Sequence, residues 1–379
     1  MPSSTSNFKK KLRLPRMFFA EATEIAPREH ERPIPQLPWR GITVVVVLIV
    51  CASSIIWEIY VRSIGYAPTL NETEDLWADR RRAVRPEAVV IIGDSRGWFD
   101  LDLDELEKEF GKRPIQLAMG GGCPYPVLAD LADDKAFHGT IICSVVPRLF
   151  FAPPGSPPME NAKKAVRRYR TETPAQRASQ FLAMPLEEDV AFLKQEDLST
   201  EALLEDLPIP NRPGALVPPR FPPYFATLDR ERRARMIERC ANPGPLQSTV
   251  QQVWLHLFSP PPPPSYIPIE TFGKQMQKVV EDRFRDSISS VQKLRDRGGK
   301  IVFVRFPVSG DLKALEDRIS PRAALWEPLL QRTGVPGIYF EDFPELAIFY
   351  CPEWSHLSAG DSVEFTKRLV PHLRQALQL

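Results

Sequence analysis

The sequence predicts an α/β protein with a parallel five-stranded sheet covered by helices on both faces, behind one membrane-spanning helix. Three observations predict it. Short β-branched runs, apolar at successive positions as strands buried on both faces require, recur through the chain. Segments of helical periodicity separate them, so successive strands can run parallel. Ahead of both, residues 41–61 read GITVVVVLIVCASSIIWEIYV, in which Glu58 is the single charged residue.

Residues 1–40 are polar and basic, with Pro33, Pro35 and Pro38, and read as a cytoplasmic tail. Met17-Phe18-Phe19 beside the basic cluster fits contact with an anionic membrane surface or a solvated tail equally well. Residues 41–62 are the expected span, since about 20 apolar residues cross a bilayer as a helix. Trp39, Trp57 and Tyr60 lie at its ends, where amphipathic rings favour the headgroup layer. Roughly forty residues precede the apolar core and no A-x-A site follows it, which disfavours a cleaved signal peptide. Lys9, Lys10, Lys11, Arg13, Arg16, Arg28, Arg32 and Arg40 precede the span, whereas Arg62 alone follows closely, before Glu72, Glu74 and Asp75. This asymmetry predicts a single-pass topology with a cytoplasmic N-terminus and the main domain outside the cytoplasm, periplasmic in a Gram-negative bacterium. Residues 63–86 read as a tether carrying Asp79-Arg80-Arg81-Arg82.

Strands are expected at 88–92, 114–118 and 140–146, with helices at 102–110 and 125–133, making residues 87–151 the first part of the α/β domain. Residues 152–266 break the alternation, with proline clusters at 208–223 and 260–264 between helix-like pieces at 175–183 and 230–240. This block reads as a mainly helical insertion, a lid or a partner surface, with polyproline II at 260–264 and a solvated basic helix face at 163–170. Residues 267–379 resume the pattern: a helix at 272–297 ended by Gly298-Gly299, a strand at 300–305, a helix at 323–332, a strand at 337–340 and a closing helix at 360–377. The two parts together give one doubly wound, flavodoxin-like sheet.

Composition narrows the function. Of 379 residues, 43% are hydrophobic and 26% charged, as in a globular protein, while 40 prolines forecast long irregular stretches. A net charge of +1 gives no field for nucleic acid. The five cysteines form no CxxC pair and no HExxH occurs, so neither a metal site nor a disulfide scaffold is expected. Cys123 and Cys351 each neighbour a proposed site segment and are either a disulfide pair or two ordinary thiols. Gly120-Gly121-Gly122 lacks the Lys-Ser/Thr of a phosphate loop, and no cofactor is expected.

Chemistry-bearing residues converge on one edge. Ligands of open α/β sheets collect at the carboxyl ends of the strands. Ser95 follows the first strand in Gly93-Asp94-Ser95, the glycines follow the second, Arg148 and Pro307 follow the third and fourth, and His356 precedes the last helix in Glu353-Trp354-Ser355-His356-Leu357. His138, His256 and His372 have no serine or acid at a recognisable spacing.

On these motifs the chain resembles the SGNH/GDSL hydrolase superfamily over residues 87–150 and 300–379. The resemblance implies Ser95 as nucleophile, His356 as base, Glu353 as its orienting acid, and the Ser95 and Gly121 N–H groups as oxyanion donors. Arg96, Arg148 and Arg305 are candidates for binding an anionic substrate group, although a surface or salt-bridged arginine is the favoured reading of each. Two departures stand out: Glu353 occupies the usual aspartate position, and no Gly-x-Asn-Asp follows the third strand, which ends Ser144-Val145-Val146-Pro147. The function implied is a membrane-anchored serine esterase or O-acyltransferase acting on an envelope glycan or its acyl groups. The alternative is a catalytically silent binding or scaffold subunit that meets a membrane-protein partner through the insertion.

Overall fold

A computed structural model describes residues 37–205, 224–260 and 262–378. The basic tail with Met17-Phe18-Phe19, the prolines between 208 and 223, and Pro261 lie outside the described residues. The chain divides into a unit of residues 1–55 and a unit of residues 56–379. From Trp39 on, the described part of the first unit belongs to the α-helix Trp39–Ser63, whose 25 residues, with a mean hydropathy of 2.5 over the most apolar 18, are enough to cross a membrane. None of its most apolar window is buried against protein, as expected of a helix whose solvent is lipid.

The second unit is built on a sheet of five parallel strands. Val89, Val90, Ile91 and Ile92 are all buried and form β1 (Val89–Ile92). β2 (Ile115–Gln116) pairs with one edge of β1, and β3 (Thr140–Ser144) pairs with the other, Val89 opposite Thr140 and Ile92 opposite Cys143. Two further strands come from an antiparallel hairpin outside this sheet, β4 (Ala226–Leu228) and β5 (Ala234–Met236). β6 (Lys300–Arg305) then pairs with β3, and β7 (Gly337–Tyr339) completes the order β2-β1-β3-β6-β7. Chain order reverses between β1 and β3, where connections leave in opposite directions and open a crevice at the carboxyl ends.

The helices follow the sequence closely in this part. Asp102 caps Leu103–Phe110 by accepting from Asp104 and Glu105 N–H at 3.0 Å each, and Gly111 ends it in the left-handed conformation. Tyr125–Asp133 and Ile269–Arg295 pack together, while Ala359–Leu377 packs on Leu103–Phe110, β6 and β7.

The segment expected to be a tether is instead part of the domain. Leu70, Asn71, Leu76, Trp77 and Arg81 are buried. Thr73 caps the helix Glu74–Ala83, whose Trp77 donates to Leu117 O at 2.9 Å and whose Arg81 pairs with Asp130 at 2.8 Å and Asp134 at 3.0 Å. The charges at 79–82 concealed this, because the spacing of Trp77 and Leu76 is too short to display an apolar face. The insertion is likewise less separate than its composition suggests. Helix Pro157–Thr171 packs on Glu74–Ala83 and Tyr125–Asp133, and its Ala162 and Ala165 join the main core. Its basic residues are not merely solvated: Lys164 pairs with Glu74 at 2.6 Å and Arg170 with Asp130 at 2.6 Å.

The helix expected at 230–240 is absent; the β4–β5 hairpin and a short helix, Glu238–Ala241, replace it. Arg232, at the hairpin tip with φ of 59°, is fully buried, donates to Gln116 O at 3.0 Å and pairs with Glu72. Tertiary pairing thus outweighs the helical propensity of a charged run.

Gly93 sits where β1 approaches β3 most closely. Its φ is 137°, and a Cβ there would lie 2.5 Å from Ser144 Cβ and 2.9 Å from Ser144 N and O. Gly111, with φ of 66°, has open space around the same position. Gly93→Ala should therefore destabilise by about 3 kcal/mol through overpacking and strain together, against about 1 kcal/mol for Gly111→Ala. Thermal unfolding of the full chain in detergent checks the ranking, which equal shifts in melting temperature would contradict.

Candidate active site

β1 ends in Gly93-Asp94, and Asp94 builds the turn that follows. Its carboxyl accepts from Arg96 N–H at 2.9 Å, starting the short helix Ser95–Phe99, and from Ser144 Oγ on β3 and Val146 N–H just after it, at 3.1 Å each. Ser95 is the first helical residue, half-buried, at the carboxyl edge of β1 beside the crevice.

The second half of the site comes from the loop before the last helix. His356 Nε2 lies 2.7 Å from Ser95 Oγ, and His356 Nδ1 lies 3.0 Å from Glu353 Oε1. That oxygen also accepts the His356 backbone N–H at 2.5 Å. An ionised carboxyl only accepts, which assigns the proton to Nδ1 and leaves Nε2 free to take one from Ser95. His356 and Glu353 are fully buried. The three residues proposed from sequence thus meet in one hydrogen-bonded row, with the methylene of Glu353 accommodated by the loop.

Backbone strain shapes that loop. Trp354 has φ of 78°, unusual for a bulky residue and worth about 1–3 kcal/mol of strain. Trp354 O accepts Ser309 N–H at 2.9 Å, Cys351 N–H donates to Ser309 Oγ at 2.9 Å, and the indole lies against Gly310, where a Cβ would come within 2.3 Å of Nε1. The segment after β6 therefore holds the turn that places Glu353 and His356 three residues apart on one side.

Several residues here escaped the sequence reading. Trp254, on the helix Pro245–Phe258 of the insertion, donates from its indole to Glu353 Oε2. Gln251, one turn earlier, donates to Pro352 O at 2.9 Å. Phe99 stacks on the His356 ring at 4.3 Å, Phe225 lies beyond it at 6.2 Å, and Trp254 meets it edge-on at 5.5 Å. Asp100 Oδ1 accepts the Leu357 N–H at 2.8 Å. Burial pushes the Asp100 carboxyl well above the ordinary carboxylate range, against the lowering by the Leu357 N–H and Arg96. Trp254 had a signal, an apolar helix-period run from Leu246 to Phe258, but the surrounding prolines masked it.

The oxyanion candidates are less complete. Gly121 is exposed in the left-handed conformation, φ 58°, in the loop after β2. That loop starts on the nucleophile turn, since Met119 N–H donates to Gly93 O at 3.1 Å. After β3, Val146 offers no side-chain donor and its N–H is committed to Asp94.

Two of the three arginines proposed for substrate have another task. Arg96 and Arg305 are buried and both pair with Glu316, Arg96 at 2.5 and 3.1 Å. With their charges neutralised inside the domain they are unavailable to a ligand. Glu316 lies on the helix Gly310–Ile319, which the sequence reading omitted. Arg148 is partly buried and donates to Ser259 O at 3.2 Å, at the C-terminus of the helix carrying Trp254. It therefore steadies that helix end, where carbonyls lack partners. Cys123 and Cys351 are both free and buried, and Cys123 Sγ donates to Phe150 O at 3.5 Å. A cavity of about 420 Å³ opens at the ends of β6 and β7, lined among others by Val308, Lys313, Phe340, Ile348 and Tyr350. No protein-family model matches the chain, and no curated protein matches it significantly.

The Glu316 triad gives a pH signature. Burial raises the Glu316 pKa, but Arg96 and Arg305 outweigh it and hold the group at about 2 against an ordinary 4.5. A depressed folded pKa contributes stability that is complete above the unfolded value and lost as pH falls from about 4.5 to 2, here on the order of 3 kcal/mol. Glu316→Gln should lower stability near neutral pH by about 3–5 kcal/mol, because two buried guanidiniums lose their counter-charge. It should also flatten the decline below pH 4.5; acid titrations of unfolding free energy that run parallel for both proteins would contradict this reading.

Proposed function

We propose that this chain is a membrane-anchored serine esterase or O-acyltransferase with the motif order of the SGNH superfamily. Its substrate is an envelope glycan or the acyl groups it carries. The observation that supports this most strongly is the row Ser95 Oγ to His356 Nε2 to Glu353, at 2.7 and 3.0 Å. Hydrogen-bond reach between nucleophile and base, with a third group orienting the base, is the geometry serine catalysis needs.

The chemistry follows from the row. His356 Nε2 takes the Ser95 proton as Oγ attacks an ester carbonyl, and Glu353, steadied by Trp254, stabilises the imidazolium. The N–H groups of Ser95 and Gly121 are the proposed oxyanion donors. His356 then gives its proton to the departing alcohol, leaving an acyl group on Ser95. Water completes a hydrolase cycle; an acceptor hydroxyl completes a transferase cycle. The aromatic screen of Phe99, Phe225 and Trp254 around His356 favours transfer, because it limits water at the base. The basic flank before the apolar helix, against one arginine soon after it, supports a cytoplasmic N-terminus and a domain outside the cytoplasm.

A second reading, a catalytically silent binding subunit, draws support from Val146, which leaves the oxyanion site one side-chain donor short. Loss of such a donor costs about 10²–10³ in rate.

A fluorophosphonate distinguishes the two. Wild-type chain should be labelled, Ser95→Ala should not, and His356→Ala should react at least about 10³-fold more slowly. Trp254→Phe keeps the ring but removes one hydrogen bond to the orienting acid, so labelling should slow about 10- to 100-fold, the worth of a bond to a charged group. Equal labelling of wild type and Ser95→Ala would overturn the catalytic reading.

A further inference from the structure

Helix Pro174–Asp189 is amphipathic in the wrong sense for a helix facing water. Two of its polar side chains turn inward: Glu187 is buried and accepts Asn71 N–H at 2.9 Å, and Gln180 Oε1 accepts from Thr73 Oγ1 at 3.4 Å. Its outward face, at helical spacing, consists of Ala175, Ala178, Phe181, Leu182, Pro185 and Leu186. Phe181, Leu182 and Leu186 are 69%, 67% and 59% exposed. Three large apolar side chains on one face that is exposed among the described residues are unfavourable in water and favourable against an apolar surface.

What that surface is follows from where the helix ends. Arg62 donates to Asp189 O at 2.8 Å, while Glu58 accepts from Ala191 N–H at 3.0 Å and Phe192 N–H at 3.1 Å. Arg62 and Glu58 pair with each other at 2.6 Å. The C-terminal end of Pro174–Asp189 is thus tied to the final two turns of the apolar helix. On those turns Ile56, Ile59 and Tyr60 are exposed, and Trp57 stacks on Tyr60 at 5.3 Å. Aromatic rings at the end of a span mark the headgroup layer, so the tied helix end sits at that depth. Helices that lie in the interface bury their apolar face about 5–10 Å into the boundary between headgroups and acyl chains.

We propose that Pro174–Asp189 is a second membrane contact, lying in the bilayer interface with Phe181, Leu182 and Leu186 among the acyl chains of the leaflet that residues 56–63 meet. This rests on the apolar helix being a span, not on the proposed chemistry. The occupant is lipid because the exposed face is fastened to the span's own end by three hydrogen bonds. With that contact the domain is held by two points, which fixes its tilt over the membrane as a single helix cannot.

The test uses the full chain in nanodiscs containing phosphatidylcholine with a nitroxide on its acyl chain. A fluorescent amino acid is placed, one position at a time, at Val47 within the span, at Leu182, at Leu186, or at Lys367 on the closing helix. The proposal expects strong quenching at Val47 and quenching at Leu182 and Leu186 at least threefold above that at Lys367. Quenching at Val47 with Leu182 and Leu186 no different from Lys367 would overturn it while leaving the span intact. An unquenched Val47 would overturn the span and the proposal together. A photocrosslinker at Phe181 should capture lipid; capture of a second copy or another protein at that position would equally overturn it.

Discussion

The buried Asp94 carboxyl is the constraint on which the site depends. It accepts from the turn after β1 and from the end of β3, and so joins the two strands at the point where chain order reverses. Every such acceptor bond made inside the domain replaces one with water and must be satisfied there. Gly93 and Gly97 make the joint possible, since a Cβ at either would come within 2.5 or 2.8 Å of Ser144 Cβ. The position of Ser95 is thus set by the packing of two central strands, whereas loops at the surface have little part in it. Rigid support of this kind is what a nucleophile needs.

His356 and Glu353 are fixed from the other side. The strained Trp354 turn is held by Ser309 and Gly310 after β6, and Glu353 is held by Trp254 from the insertion. Arg148 steadies the end of the Trp254 helix, and Arg96, one residue past Ser95, is anchored by Glu316 on the helix Gly310–Ile319. The proline-rich block is therefore more than a cover. It supplies one of the hydrogen bonds on which the orientation of His356 rests.

Much of this architecture is legible in the sequence because the β-branched runs are buried on both faces and need no partner to be recognised. The strand at 300–305 and the helix at 125–133 match to the residue. The meeting of Ser95, His356 and Glu353 was legible for the same reason, since strand order alone carries those segments to one edge. What the sequence could not display depends on contacts between distant segments. Arg96 and Arg305 are open to either a ligand-binding or a salt-bridged reading until Glu316 is placed between them. The charges at 79–82 look solvated until Arg81 meets Asp130 and Asp134. The run at 230–240 looks helical until Arg232 is drawn into the core, and the prolines around Trp254 conceal a helix that packs on Gly310–Ile319.

The row of three residues also has an order in time. Ser95 and His356 are 261 positions apart, with Trp254 between them. A ribosome that has just made Ser95 has made neither His356 nor Trp254, which steadies Glu353. On the proposed topology, the Ser95 hydroxyl would cross the membrane before His356 has been made. Only when the last helix, Ala359–Leu377, has followed can the loop carrying His356 close on the turn. On the proposed serine chemistry, reactivity would then be acquired only as the C-terminal part of the chain folds onto the earlier part.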